Sequence, residues 1–408
     1  IAALNQQGPE LRAVLALNPK ALDEADALDA QLDEEGPVGS LHGVPVLIKG
    51  NIDINGLISS AGSLALVEGV IPVEADAFIV SRLRAAGAVI LGTANLSEWA
   101  NFRDQKSSSG WSSQGGQTRN PHVLDRNPCG SSSGSAAAVA ARLAPLAIGT
   151  ETNGSIVCPA SANGVVGIKP TLGLVSRTGI IPISSTQDTA GPMGRSVTDA
   201  ALLLEVIAGF DPEDPASLQV DGVSFQPDLE ITRLDGKRIG VLRTYGGAGE
   251  RPRLDALYQR TVDLLPTLGA TVVDPIDYQP SEEFRPAAYR ILLREFKATL
   301  NAYLAGRQLP EDRNSLAELI AYNAANPEQV MPIFEQSIFL EAQAQTDLSD
   351  PEYAEDIANV QDRLRAEHNR QLDAHQLDAL LLPGNAPAWK TDWVNGDHFT
   401  YGGTAYLA

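Results

Sequence analysis

The chain has 408 residues, 43% of them apolar, enough for a substantial core in one large domain or two ordinary ones. Its formal net charge is −21, with 51 acidic residues against 30 basic, which argues against nucleic acid and membrane surfaces as partners because both repel an acidic surface. No apolar run approaches the roughly 18 residues of a membrane span. The first residues carry neither the basic start nor the cleavage site of a secretory signal, so a cytoplasmic protein is expected. The chain lacks an initiator Met and is expected to begin inside a longer protein.

In chain order, residues 19–33 read as an amphipathic helix with Leu22, Ala25, Leu28 and Leu32 on one side. GPVGSLHGVPVLIKGNID (36–53) gives turn, short apolar strand and turn. EADAFIVSRLRAAG (74–87) reads as a helix stopped by Gly87, and AVILGTAN (88–95) as a buried strand. Residues 107–135 are Gly-, Ser- and Asn-rich loop. From Ser135, SAAAVAARLA is a helix of small residues able to pack close to a sheet. LAIGTET (146–152) and GVVGIKPT (164–171) read as strands. KRIGVL (237–242), a helix over 254–268 and ATVVD (270–274) make a further strand–helix–strand alternation. From Ser281 to His375 the chain is mostly helical, and LDALLLPG (377–384) returns to strand. This alternation predicts an α/β layer architecture.

Two cysteines cannot make a disulfide framework and have no metal-ligand spacing. Cys129 and Cys158, each beside a proline, are expected to be small buried packing residues. The five histidines (His42, His122, His368, His375, His398) form no HExxH pair, so no metal site is expected.

The densest chemical signal is NPCGSSSGSAAAVAARLAPLAIGTETNGSIVC (127–158). Gly130, Ser132 and Gly134 match a G-x-S-x-G nucleophile elbow, but the preceding PHVLDRNPC is polar with two prolines and makes a poor central strand. A phosphate-cradling loop lacks the required G-K-[ST]. The alternative is Ser155. Apolar LAIG delivers the chain to the TETNGS turn, and Ser155 opens a short helix, so its hydroxyl lies at a strand's C-terminal edge beside backbone N–H groups suited to a developing oxyanion. A plain helix cap is the competing role for this serine.

A serine nucleophile needs a base, and no histidine is near in sequence. The chain has seven lysines. Lys49 ends the apolar VPVLIK, where burial would disfavour its charged form; lowering a lysine from about 10.4 to near 7.5 costs roughly 4 kcal/mol, within the range seen for buried lysines. Lys169 in GVVGIKPT is an equally apolar rival, and residue chemistry alone does not separate the two.

PCGSSSGSAAAVA (128–140), GTETNGSIVCPA (149–160) and Lys49-Gly50-Asn51 together resemble the amidase signature family, with the two serines 24 residues apart at Ser131 and Ser155. LSEWANFR (96–103), GGQTRNP (115–121), GIIPIS (179–184), QDTAGPM (187–193), LREFK (293–297), LIAYN (319–323) and AHQLDAL (374–380) resemble its bacterial peptide amidase branch. The resemblance implies one amidase signature domain over 1–408: a central mixed twisted sheet covered by helices on both faces. Its core would be 36–275 and 376–408, its mostly helical insertion about 281–375. It assigns Ser155 as nucleophile, Ser131 as proton relay on a cis Gly130–Ser131 bond, and Lys49 as base. Lys169 falls on a structural strand. Backbone N–H groups of Thr152, Asn153, Gly154 and Ser155 would form the oxyanion hole, with Gly130, Ser132 and Ser133 supporting the loop.

The resemblance implies cleavage of a carboxamide, such as a C-terminal peptide amide or similar small amide, with no cofactor and no metal. Trp99, Phe102, Trp111 and Phe296 are candidate pocket linings. Gly50, Asn153 and Val157 depart from the wider family's usual residues, and the end at YGGTAYLA predicts a truncated C-terminus. An amidotransferase-type subunit of the same family and a non-catalytic binding protein on this fold are the alternatives. The sequence carries no signal for oligomeric state.

Overall fold

The computed structural model describes residues 1–220, 222, 224–225, 229–243, 249, 251–277 and 284–398. Ser281, the expected start of the helical segment, and the closing YGGTAYLA lie outside the described residues. The chain forms two compact units: residues 1–225, 295–344 and 388–397, and residues 226–294, 345–387 and 398–408.

The first unit is built on β1 (Val14–Leu17), α1 (Ala21–Glu35), β2 (Pro45–Lys49), α2 (Phe78–Ala85), β3 (Val89–Ala94), the short pair β4 (Trp111–Ser112) and β5 (Gly116–Gln117), α3 (Ser133–Ala140), β6 (Leu146–Glu151), α4 (Val157–Asn163), β7 (Val166–Gly167), β8 (Thr189–Gly194) and α5 (Val197–Ile207). Six strands form one mixed sheet in the order β1-β3-β2-β6-β8-β7. The strands β3, β2 and β6 run parallel, and β1, β8 and β7 pair antiparallel with their neighbours. This is the fold the resemblance implies.

Strand alternation places the core. Val46 and Ile48 of β2, with Leu146 and Ile148 of β6, pack into a cluster that includes Ile79, Val80 and Leu83 of α2 and Leu203, Leu204 and Ile207 of α5. Leu47 and Ala147, one residue out of phase, face the other side and meet Ala137, Ala138 and Val139 of α3. Both faces are thus covered, and α3 sits close because its residues are small. A Cβ added at Gly134 would meet the Ala13 carbonyl oxygen at 2.3 Å and that of Asn95 at 2.4 Å.

In the second unit β9 (Arg238–Val241) lies between β10 (Thr271–Val273) and β11 (Ala379–Leu381), all parallel. Helix α6 (Pro252–Thr267) lays Tyr258 and Val262 against Val241, and the Tyr258 hydroxyl donates to the carbonyls of Leu242 and Leu381. Helix α7 (Arg285–Ala305) gives its first half to this unit and its second half to the first. The first unit also holds α8 (Leu316–Ala325) and α9 (Ser337–Gln343), the second α10 (Pro351–His375).

Several elements differ from the sequence reading. TAGPMG, to which the sequence reading gave no element, forms the internal strand β8. The sheet requires the glycine at 191: a Cβ there would approach the Ile168 carbonyl oxygen to 2.2 Å. In α1 the protein-facing residues are Ala21, Ala25 and Leu28, whereas Leu22 and Leu32 are exposed. Of GVVGIKPT only Val166–Gly167 joins the ladder, and α2 starts at Phe78 instead of Glu74. Among the described residues no helix is long and apolar enough to cross a membrane.

Candidate active site

Strand β2 ends at Lys49, whose side chain is fully buried. Its Nζ lies 2.7 Å from Ser131 Oγ, 2.8 Å from Thr150 Oγ1 and 3.2 Å from the Thr150 carbonyl oxygen. Burial lowers the pKa to about 7, against the opposing pull of Glu151 and Asp188. Lys169 is also pushed down by burial, but its Nζ donates to the Thr152 carbonyl at 3.3 Å and sits 3.9 Å from Glu151. Geometry therefore separates the two lysines: Lys49 touches a serine hydroxyl, and Lys169 props the turn after β6.

Ser131 follows a cis peptide bond to Gly130 and is fully buried. A side chain at Gly130 would strike Ser97 Oγ, 2.1 Å from the added Cβ. Ser132 Oγ donates to the Thr150 carbonyl (3.1 Å) and accepts from Thr150 N–H (3.2 Å), tying the loop to β6. Ser133 Oγ donates to the Cys129 carbonyl at 2.6 Å. Ser132 N–H donates to the Ser155 carbonyl at 3.1 Å, which brings the two serine-bearing segments together. Ser132 is thus fully occupied in holding the loop.

The turn 152–155 is shaped by Glu151, to which sequence reasoning gave no role. Its carboxylate accepts from the N–H groups of Gly154 (2.8 Å), Ile156 (2.7 Å) and Val157 (3.0 Å). The Gly154 N–H, one of the four expected oxyanion donors, is therefore engaged by this side chain. Asp188 at the foot of β8 accepts from Thr152 Oγ1 and from the N–H groups of Ile183 and Ser184, while burial pushes its pKa up. QDTAGPM carried this aspartate in the sequence, but nothing local showed that it supports Thr152.

The two cysteines correct the sequence reading. Cys129 and Cys158 form a disulfide, with Cα atoms 5.9 Å apart. Two cysteines are too few for a framework, yet one bridge needs only two, and here it joins the residue before Gly130 to the helix after Ser155. For a 29-residue separation, loop entropy predicts a loss of about 3–4 kcal/mol in a Cys129→Ala/Cys158→Ala variant. The check is a lower melting temperature under oxidising conditions. An unchanged one would show that the bridge adds nothing.

Ser131, Thr150, Thr152, Ser155 and Asp188 line a cavity of about 970 Å³ together with Asn51, Ile180–Ile183 and Tyr303. Arg177 also lines it, held in a two-pronged pair by Asp214 at 3.0 and 2.6 Å. The four aromatic candidates do not line this cavity. Trp99, Phe102, Trp111 and Phe296 are all buried: Trp99 meets Phe339, Phe102 meets Phe296 and Trp111 meets Phe334 edge-on at ring distances of 5.0–5.5 Å, and Phe296 lies tilted against Phe339 at 5.4 Å. Residues 296–339 cover them, a contact invisible locally. Trp99 and Phe296 wall a minor space of about 10 Å³ beside Asn51. Among the described residues no three His, Cys, Asp or Glu are placed to hold a metal ion.

The family model for amidases matches residues 1–400. The chain is similar to the solved peptide amidase of Stenotrophomonas maltophilia, at 47% identity and a TM-score of 0.93, covering 100% of this chain and 82% of that one. It is 39% identical to a probable amidase of Arabidopsis thaliana over 94% of this chain and 75% of that protein. It is 41% identical to a glutamyl-tRNA(Gln) amidotransferase component of Bdellovibrio bacteriovorus over 72% of this chain, and spans 58% of that component's length. The buried lysine, the paired serine loops and the mixed sheet beneath them thus occur in a chain that belongs to the amidase family, hydrolases of amide C–N bonds.

Proposed function

We propose that the chain cleaves a carboxamide, a C-terminal peptide amide or similar small amide, to a carboxylic acid and ammonia through Lys49, Ser131 and Ser155. The observation that carries this is the 2.7 Å contact between a fully buried lysine amine and the Ser131 hydroxyl, in the wall of the cavity that Ser155 also lines. A pKa of about 7 leaves much of the amine neutral near neutrality, able to accept a proton.

In this reading Lys49 takes the Ser131 proton, Ser131 takes that of Ser155, and the Ser155 Oγ–carbon bond forms. The C–N bond then breaks as the proton returns through Ser131 to the leaving nitrogen, releasing ammonia. Water attacks the acyl-enzyme by the same relay in reverse and frees the acid. Backbone N–H groups of the 152–155 turn stabilise the oxyanion, with Gly154 given to Glu151 and so fixing the turn's shape. No cofactor enters this scheme.

Two observations support an uncharged amide. Arg177 is bound to Asp214, which offsets its charge, and Glu213 adds negative charge to the cavity wall, so a product carboxylate is repelled. The likeness to a peptide amidase points the same way. The net charge of −21 weighs against a tRNA-dependent partner role. The test is ammonia release from a panel of C-terminal peptide amides, short aliphatic amides, aryl amides and glutamine. Peptide amides are expected to turn over fastest. Activity on glutamine alone, and only with added amidotransferase subunits, would overturn this reading.

A further inference from the structure

We propose that Thr150 is a positioning residue for the base: its hydroxyl and its carbonyl together take up the two hydrogens that the neutral Lys49 amine does not need, leaving the nitrogen lone pair for Ser131. This rests on the proposed amide hydrolysis and names a residue outside the Lys49, Ser131 and Ser155 set.

A neutral lysine amine has two hydrogens and one lone pair. Lys49 Nζ has three near neighbours: the Thr150 carbonyl oxygen at 3.2 Å, Thr150 Oγ1 at 2.8 Å and Ser131 Oγ at 2.7 Å. The carbonyl only accepts, so it holds one hydrogen. Of the two hydroxyls, one takes the second hydrogen and the other faces the lone pair; with Thr150 Oγ1, which also accepts from Asn51 Nδ2, as the acceptor, the lone pair is left facing the Ser131 hydroxyl. After the amine takes the Ser131 proton, the ammonium has three hydrogens and the same three oxygens to accept them, two of them on Thr150. One residue thereby orients the base before proton transfer and stabilises the charge after it.

The position of Thr150 is itself fixed from three sides. It lies in β6, paired with Ala190 of β8. Its backbone N–H and carbonyl are both bonded to Ser132 Oγ, on the loop that carries Ser131. Its hydroxyl accepts from Asn51 Nδ2 at 3.1 Å, two residues beyond Lys49. Lys49 at the end of β2, Asn51 just after it and Ser132 on the Ser131 loop are thus all tied to one threonine. The charged groups nearby are Glu151 and Asp188, which favour the ammonium, and Lys169, which pairs with Glu151.

The experiment compares Thr150→Val, which keeps the shape and the carbonyl but removes Oγ1, with Thr150→Ser, which keeps the oxygen. Peptide amide hydrolysis is measured across pH in both, with folding checked by thermal melting. Thr150→Val is expected to lower kcat about 10–100-fold, the loss of one hydrogen bond to a charged group, with little change in KM. Its acid limb moves down by about one pH unit, because the ammonium loses an acceptor. Thr150→Ser is expected to restore both. A Thr150→Val enzyme with wild-type kcat and acid limb overturns the proposal, as does a fall in kcat that Thr150→Ser does not rescue. Loss of activity in Lys49→Met beside a normal Thr150→Val would reject the positioning role alone, whereas full activity in Lys49→Met would reject the amide-hydrolysis scheme itself.

Discussion

Ser155→Ala is expected to abolish amide turnover, a fall of about 10⁶-fold, and Lys49→Met to lower it about 10³–10⁴-fold, both with the fold intact. The two differ because the first removes the atom that forms the acyl bond, while the second removes only the proton acceptor. Lys49→Met also has a stability signature. Lowering the pKa from 10.5 to about 7 corresponds to roughly 5 kcal/mol of burial cost. Above pH 10.5 the amine is neutral in folded and unfolded chains alike and no cost arises. As pH falls from 10.5 towards 7 the unfolded chain takes up the proton first, and below 7 the whole cost is present. Methionine removes this term and leaves the Thr150 and Ser131 oxygens one partner short. The melting temperature of Lys49→Met relative to the parent therefore rises as pH falls from 10 to 7, and levels off below. A difference independent of pH would show that the parent's lysine stays charged.

Arg103→Met is expected to cost about 3–5 kcal/mol of stability. Arg103 is fully buried and pairs with the equally buried Glu98. Its remaining N–H groups donate to the carbonyls of Val330 (2.7 Å), Phe334 (3.0 Å) and Glu335 (3.0 Å). The guanidinium lies 4.2 Å from the centre of the Phe334 ring and 5.6 Å from that of Trp111. Removing it leaves three carbonyls short of a partner and Glu98 without its cation. Burial already pushes the Glu98 pKa up while Arg103 pulls it down, so the variant's Glu98 takes up a proton at higher pH than in the parent. Adding Glu98→Gln should recover part of the loss, since the orphaned charge is then gone. Thermal melts of the single and double variants decide this. An Arg103→Met protein that melts with the parent would mean the buried pair holds nothing in place.

How far the sequence spoke depended on how local the cause was. Lys49 was legible because an apolar strand ending in a lysine announces a buried amine. Its choice over Lys169 came from the family motif, and in the structure it comes from a 2.7 Å contact across 82 positions. Small-residue α3 was legible from composition, and so was its tight packing. Strand β8 was not, because TAGPMG carries no apolar alternation and Gly191 is there for its close approach to the Ile168 carbonyl. Arg103 stood in the quoted motif LSEWANFR together with its ion-pair partner Glu98, but the three carbonyls that it meets are more than 220 positions away, so no local pattern shows its burial. Partners distant in sequence also hid the packing of Trp99, Phe102 and Trp111, residue types that favour a core over a pocket wall. Glu151 and Thr150 sat inside GTETNGS, yet their roles follow from which backbone groups they meet, and those are set by folding.

Proton transfer from Ser155 through Ser131 to an uncharged Lys49 is read from the rate at which a fluorophosphonate labels Ser155 across pH, in the parent and in Lys49→Met. The parent rate is expected to rise through a pH of about 7 and then level, and the variant to label at least a hundredfold more slowly with no inflection there. A variant that labels at the parent's rate, with the same inflection, would contradict that transfer.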